Sequence, residues 1–176
     1  MVSTLHRLLV LLMAAGAAGC SPALDWREFV PEGTGLNVGF PCRPDRQART
    51  VVVAGVSVRM QMLACSAGDA TFALAFVDAL DPAQTGSMLT GLREAAVDNL
   101  RGARPQVAPV QIKGMTPNEQ AARLSISGTF PDGTAVQEHA VFFVRGLRVY
   151  QATVIGARPT PEAVETFIGA LKFNGA

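Results

Sequence analysis

The sequence predicts an α+β domain, a largely antiparallel sheet with two separate helices to cover its faces. Three observations predict it. Alternating apolar and polar residues, the period of a half-buried strand, recur on both sides of one mid-chain helical repeat. Short turn sequences at Ala54-Gly55, Asp132-Gly133 and Gly146 separate consecutive strands, and such tight turns join antiparallel neighbours. A second helical repeat follows the last long strand.

Each element has its own signal. Residues 21–32 read as a tether merging into the domain, with Trp26 and Phe29 packing on its edge. Leu36, Val38 and Phe40 alternate with Asn37 and Gly39, and Pro41 stops that strand. Asp45, Arg46 and Arg49 read as an exposed loop. Residues 50–53 are β-branched and pair across Ala54-Gly55 with residues 56–64. There Val56, Val58, Met60 and Met62 share one face, and Ser57, Arg59 and Gln61 the other. After a turn at residues 66–69, residues 70–77 are apolar on both faces, as expected of a central strand.

Asp81-Pro82 then opens a helix, with Asp81 as its cap and Pro82 in its first turn. Met88, Leu89, Leu92, Ala96 and Leu100 recur at helical spacing. Arg93, Glu94, Asp98 and Arg101 form the wet face, and Gly102 and Pro105 end the helix. Residues 106–113 read as extended, kept at an edge by Pro109. Leu124, Ile126 and Phe130 alternate with Arg123, Ser125, Ser127 and Thr129. The turn at 131–134 leads into a strand over 135–145, and Gly146 leads into another over 148–155. Pro159-Thr160-Pro161 starts a helix over 162–171, with Val164, Phe167, Ile168 and Leu171 on one face. Lys172-Phe173 adds a last extended piece.

The start of the chain reads differently. Arg7 precedes an uninterrupted apolar run over residues 8–15, and Ala17-Ala18-Gly19-Cys20 follows. A basic start, a short apolar core and small residues make the plan of a secretory signal. The run is shorter than the roughly 20 residues of a membrane span. Its end resembles a lipobox, where signal peptidase cuts before a cysteine that carries diacylglycerol, although Ala17 replaces the usual leucine. The resemblance implies a signal peptide over 1–19, lipidated Cys20 and a tether over 20–32, and one domain over 33–176. Ser21 in place of aspartate implies the outer membrane, facing the periplasm. The alternative is an ordinary secreted protein cut near Ala18, with Cys20 a spare thiol.

With Cys20 assigned to lipid, Cys42 and Cys65 remain as an even pair, expected as one structural disulfide. The closed loop of about 23 residues contributes roughly 3 kcal/mol by chain entropy. Redox and zinc roles lack the C-x-x-C spacing and the ligand set they need.

Hydrophobic residues make 49% of the chain and charged residues 16%, which suits a buried core. Beyond Cys20 stand 14 acidic and 14 basic residues, so the processed chain is formally neutral. Neutrality and the absence of a Lys/Arg block argue against nucleic acid as a partner.

The order of elements carries a resemblance. Phe40-Pro41 closes the first strand, a hairpin and a helix follow, and a meander turns at Asp132-Gly133 and Gly146. The last helix runs into Phe167-Ile168-Gly169-Ala170-Leu171-Lys172-Phe173. Over most of residues 33–173 this resembles the α/β/α sandwich shared by the PsbP subunit of photosystem II, the Ran-binding protein Mog and the envelope protein DcrB. The resemblance implies an accessory or binding protein, and it carries over no functional residue.

Chemistry is sparse. His139 lies on a strand face with Gln137, Val141 and Phe143, while its neighbour Glu138 points to the other face. A hydrogen-bonded sheet histidine is therefore expected rather than a general base. Ser125-Ile126-Ser127-Gly128 reads as strand, not a nucleophile elbow. Gly114 is followed by Met115-Thr116-Pro117 and makes no phosphate-binding loop. Asp78 and Asp81 at a strand-to-helix junction read as a cap with a solvated neighbour. Met60, Met62 and Met88 read as core rather than a soft-metal site. Phe72, Phe76, Phe130, Phe142 and Phe143 also read as core. No cofactor or metal is expected. The expected function is a non-enzymatic lipoprotein binding an envelope protein partner. The alternatives are a small-ligand carrier, with a pocket between sheet and helix, and an enzyme using His139.

Overall fold

The period-two alternation of the strands divides one large sheet into two apolar faces. In a computed structural model describing residues 24–102 and 105–175, the strands are β1 (Arg27–Phe29), β2 (Leu36–Phe40), β3 (Asp45–Val53), β4 (Val56–Ala67), β5 (Ala70–Asp78), β6 (Arg101–Gly102), β7 (Gln106–Ala108), β8 (Ala122–Thr129), β9 (Ala135–Arg145), β10 (Arg148–Gly156) and β11 (Lys172–Phe173). The helices are α1 (Gln84–Asp98) and α2 (Pro161–Gly169). The expected signal peptide and Cys20 lie outside the described residues.

The fold is α+β. The large sheet runs β3-β4-β5-β10-β9-β8-β6, with β7 also on β8, and its strand pairings are antiparallel. The β5–β10 ladder, from Asp78↔Arg148 to Ala70↔Gly156, joins the two halves of the chain. A small sheet runs β1-β2-β11. Val136, Ala140, Phe142 and Val144 of β9 pack in one cluster with Met88, Leu89, Leu92 and Ala96 of α1. Val141 and Phe143 of the same strand pack in another with Val164, Phe167 and Ile168 of α2 and with Leu36, Val38 and Phe40 of β2. Phe167 touches Phe40 and Phe72 edge-on, both at 5.5 Å between ring centres. Each such side chain removed from water contributes roughly 1.5–3 kcal/mol.

Local signals fix the ends. Ala54, at φ +49°, and Gly55, at φ +80°, form the left-handed turn that closes the β3–β4 hairpin. The Thr160 side chain accepts a hydrogen bond from the Ala163 N–H at 3.2 Å and caps α2, with Pro161 at its first position.

Five expectations change. Residues 27–29, placed in the tether, form β1, because pairing with Val38 to Phe40 satisfies their backbone. Trp26 packs there on Phe72, with ring centres 5.6 Å apart. Asp45, Arg46 and Arg49 are exposed, but as strand: β3 is an edge, and its polar half pairs with β4 all the same. Asp81 is not the cap of α1. The N-cap is Ala83, with no side-chain cap, and the Asp81 carboxylate instead accepts from the Ala83 N–H at 2.7 Å in the preceding turn. Helix α1 stops at Asp98, short of Gly102, because Arg101 and Gly102 leave to pair with β8. Of residues 106–113 only Gln106–Ala108 is strand, since Pro109 has no N–H to continue the ladder. Among the described residues no helix is long and apolar enough to cross a membrane.

Candidate functional site

Helix α1 leaves part of its sheet face uncovered along one flank. Beside the last turn of the helix lies a groove of about 300 Å³. Its floor crosses five strands: Arg49 and Val51 on β3, Met60 and Met62 on β4, Ala73 and Ala75 on β5, Gln151 and Thr153 on β10, and Glu138 on β9. Leu92, Ala95, Ala96 and Asn99 form the helix wall. Met62, Ala75 and Gln151 are cross-strand partners, as are Ala73 and Thr153 one step along, so the groove runs obliquely over the strands. Small alanines make the hollow, since longer side chains there would fill it.

Glu138 closes one end. It is 5% exposed and sits between Ile126 and Ile155 on the neighbouring strands. Burial pushes its carboxyl up to about 7, with no neighbouring charge or hydrogen bond to hold it down. Gln151 Nε2 donates to Thr153 Oγ1 at 3.1 Å, which leaves the Gln151 carbonyl oxygen as an acceptor. The site was missed in the sequence. Its signal was an acid in register with Val136, Ala140 and Phe142, on the apolar side of β9.

Met60 and Met88 are buried core, as expected. Met62 is not: it faces the same side but is half-buried, lining the groove.

The other face carries His139. It is half-buried, and its Nδ1 shares a hydrogen bond with Ser125 Oγ at 3.1 Å across the β8–β9 ladder. Its imidazole is held below the usual value by burial first and Arg123 second, with Glu165 opposing. Glu165 of α2 is engaged by Arg123 at 2.5 and 3.2 Å, and that contact lowers its own carboxyl. Ser125 is paired with β7 on one side and β9 on the other. Its backbone is thus committed to the sheet rather than to an oxyanion.

Cys42 and Cys65 form the disulfide, with Cα atoms 6.0 Å apart. It ties the end of β2 to β4 and so links the two sheets. Asp78 and Asp81 do not converge on a cation. Asp78 accepts from Arg148 at 2.6 and 2.8 Å and is lowered mainly by that contact. Among the described residues no group of three or more His, Cys, Asp or Glu is placed to hold a metal.

No protein-family model matches the chain, and no curated protein matches it.

Proposed function

We propose that the chain is a non-enzymatic binding or accessory module of the bacterial envelope, anchored by lipid on Cys20 at the outer membrane and facing the periplasm. The anchor rests on the apolar run before Ala17-Ala18-Gly19-Cys20. A binding role fits the α/β/α sandwich that the element order resembles, which forms part of the same proposal. The observation that carries it is the groove beside α1, an apolar hollow with a few convergent polar groups. A concave site of this kind favours a small-ligand carrier over a flat protein-docking face. The His139 side supports binding over catalysis, since Arg123 holds Glu165, the acid on that face.

Two measurements test the reading. Mature protein from its native membrane should carry acyl chains on its Cys20 peptide by mass spectrometry, and an unmodified peptide would remove the anchor. A native mass spectrum of the same preparation should show a retained small molecule. A pull-down returning one stoichiometric protein, with no retained molecule, would move the assignment to an accessory subunit.

A further inference from the structure

The groove holds hydrogen-bond acceptors, and among the described residues no cation meets them. Glu138 is 5% exposed, lines the groove, and has no hydrogen-bond or ion-pair partner among the described residues. Its carboxyl oxygens are unpaired but not sealed off, so a donor in the groove can reach them. Gln151 also lines the groove; its amide donates to Thr153, and its carbonyl oxygen accepts no hydrogen bond among the described residues. Helix α1 adds a third contribution. Its last turn lines the groove through Ala95, Ala96 and Asn99, and that turn holds no basic residue. The carbonyl end of a helix carries partial negative charge and favours a cation.

The other charged side chains lie elsewhere. Arg49 lines the groove from β3, four strands from β9, so about 19 Å across the sheet separates it from Glu138 before any offset along the strands is added. Asp45 lines a separate hollow further down β3 and β4. Arg93, Glu94 and Asp98 of α1 line another. Arg59, Arg123, His139 and Arg148 occupy strand positions that alternate onto the opposite face.

Between Arg49 and Glu138 the floor and wall are largely apolar, with Met60, Met62, Ala75, Leu92 and Ala96 among them. We propose that the groove binds a linear aliphatic amine, with its ammonium on Glu138 and its chain lying obliquely across the strands toward Arg49. An ammonium brings three donors to the unpaired acceptors. The aliphatic chain covers the apolar floor. This inference rests on the small-ligand reading and specifies its chemistry.

The test uses the full mature chain, titrated by calorimetry with n-octylammonium chloride and with 1-octanol, which matches it in length without the charge. Above about pH 8, where both the carboxylate and the ammonium are charged, the amine should bind at least roughly tenfold more tightly than the alcohol. That advantage should shrink at about pH 6, as Glu138 takes up its proton. Glu138→Gln, of the same shape, should abolish the advantage. Met62→Trp, filling the hollow from a half-buried position, should weaken both probes. Equal affinity for amine and alcohol would overturn the amine assignment while keeping the groove as a ligand site. An unchanged amine affinity in either variant, or no binding of either probe, would overturn the proposal. The carrier reading is then decided separately by the native mass spectrum.

Discussion

Glu138 and His139 are consecutive in β9 and open on opposite faces of the sheet, Glu138 into the groove beside α1 and His139 toward Arg123 and Glu165. Adjacent in sequence, the two titrate in separate surroundings and influence stability in opposite directions.

Glu138 has a folded value of about 7 against 4.5 for the free side chain, so the folded state favours its protonated form. Its contribution is fully present below pH 4.5 and is lost as pH rises toward 7. The loss amounts to about 3 kcal/mol. In urea denaturation across that window, wild type should lose stability relative to Glu138→Gln by roughly this amount. Parallel curves for the two proteins would show that the carboxyl is not buried as described.

His139 is displaced the other way. Its lowered value means that stability is present above 6.5 and is lost as pH falls below it. An NMR titration should place the midpoint of His139 below 6.5. Glu165→Gln removes the group that raises it and frees Arg123, so the midpoint should fall further. A rise would contradict the arrangement of the Arg123–Glu165 pair.

The disulfide links the end of β2 to β4 across a separation of 23 residues. Replacing both Cys42 and Cys65 by Ala should lower unfolding free energy by about 3 kcal/mol, read as a shift of the urea midpoint. The small sheet should loosen first, and amide exchange in β2 should rise more than in β9.

Phe167 is fully buried and touches both Phe40 and Phe72. Phe167→Ala should cost about 3–5 kcal/mol, because α2 and β2 cannot both move in to fill the space. Thermal denaturation measures it. Loss of less than about 1 kcal/mol would mean that α2 is not packed on this cluster.

The parts of the fold legible in the sequence were those where one face meets water and the other meets core. Strand β9 was read over 135–145, its observed bounds, and α2 within two residues at either end. Strand β1 was missed because three residues are too few for a period to show. The polar half of β3 was missed because an edge strand with an exposed face has no apolar residues to alternate. The cysteine pair was readable by counting. The groove was not, because it forms where one flank of α1 meets five strands, a juxtaposition that only tertiary packing sets. Glu138 is legible as an acid on an apolar strand face, but the helix flank it meets is not.

Strand β2 is flanked by β1 on one edge and β11 on the other, segments from opposite ends of the described chain. Contacts so distant in sequence close late and slow folding, because the loop entropy is lost before the contact forms. The large sheet and both helices can assemble while β2 still has one edge bare, and only the arrival of Lys172 and Phe173 shields it. A ribosome or translocon releasing the chain from its start would hold that edge open until residues 172 and 173 emerge. Pulse-labelling by hydrogen exchange should therefore find β2 protected last, and removing the last strand should leave a sticky edge that recruits a second copy.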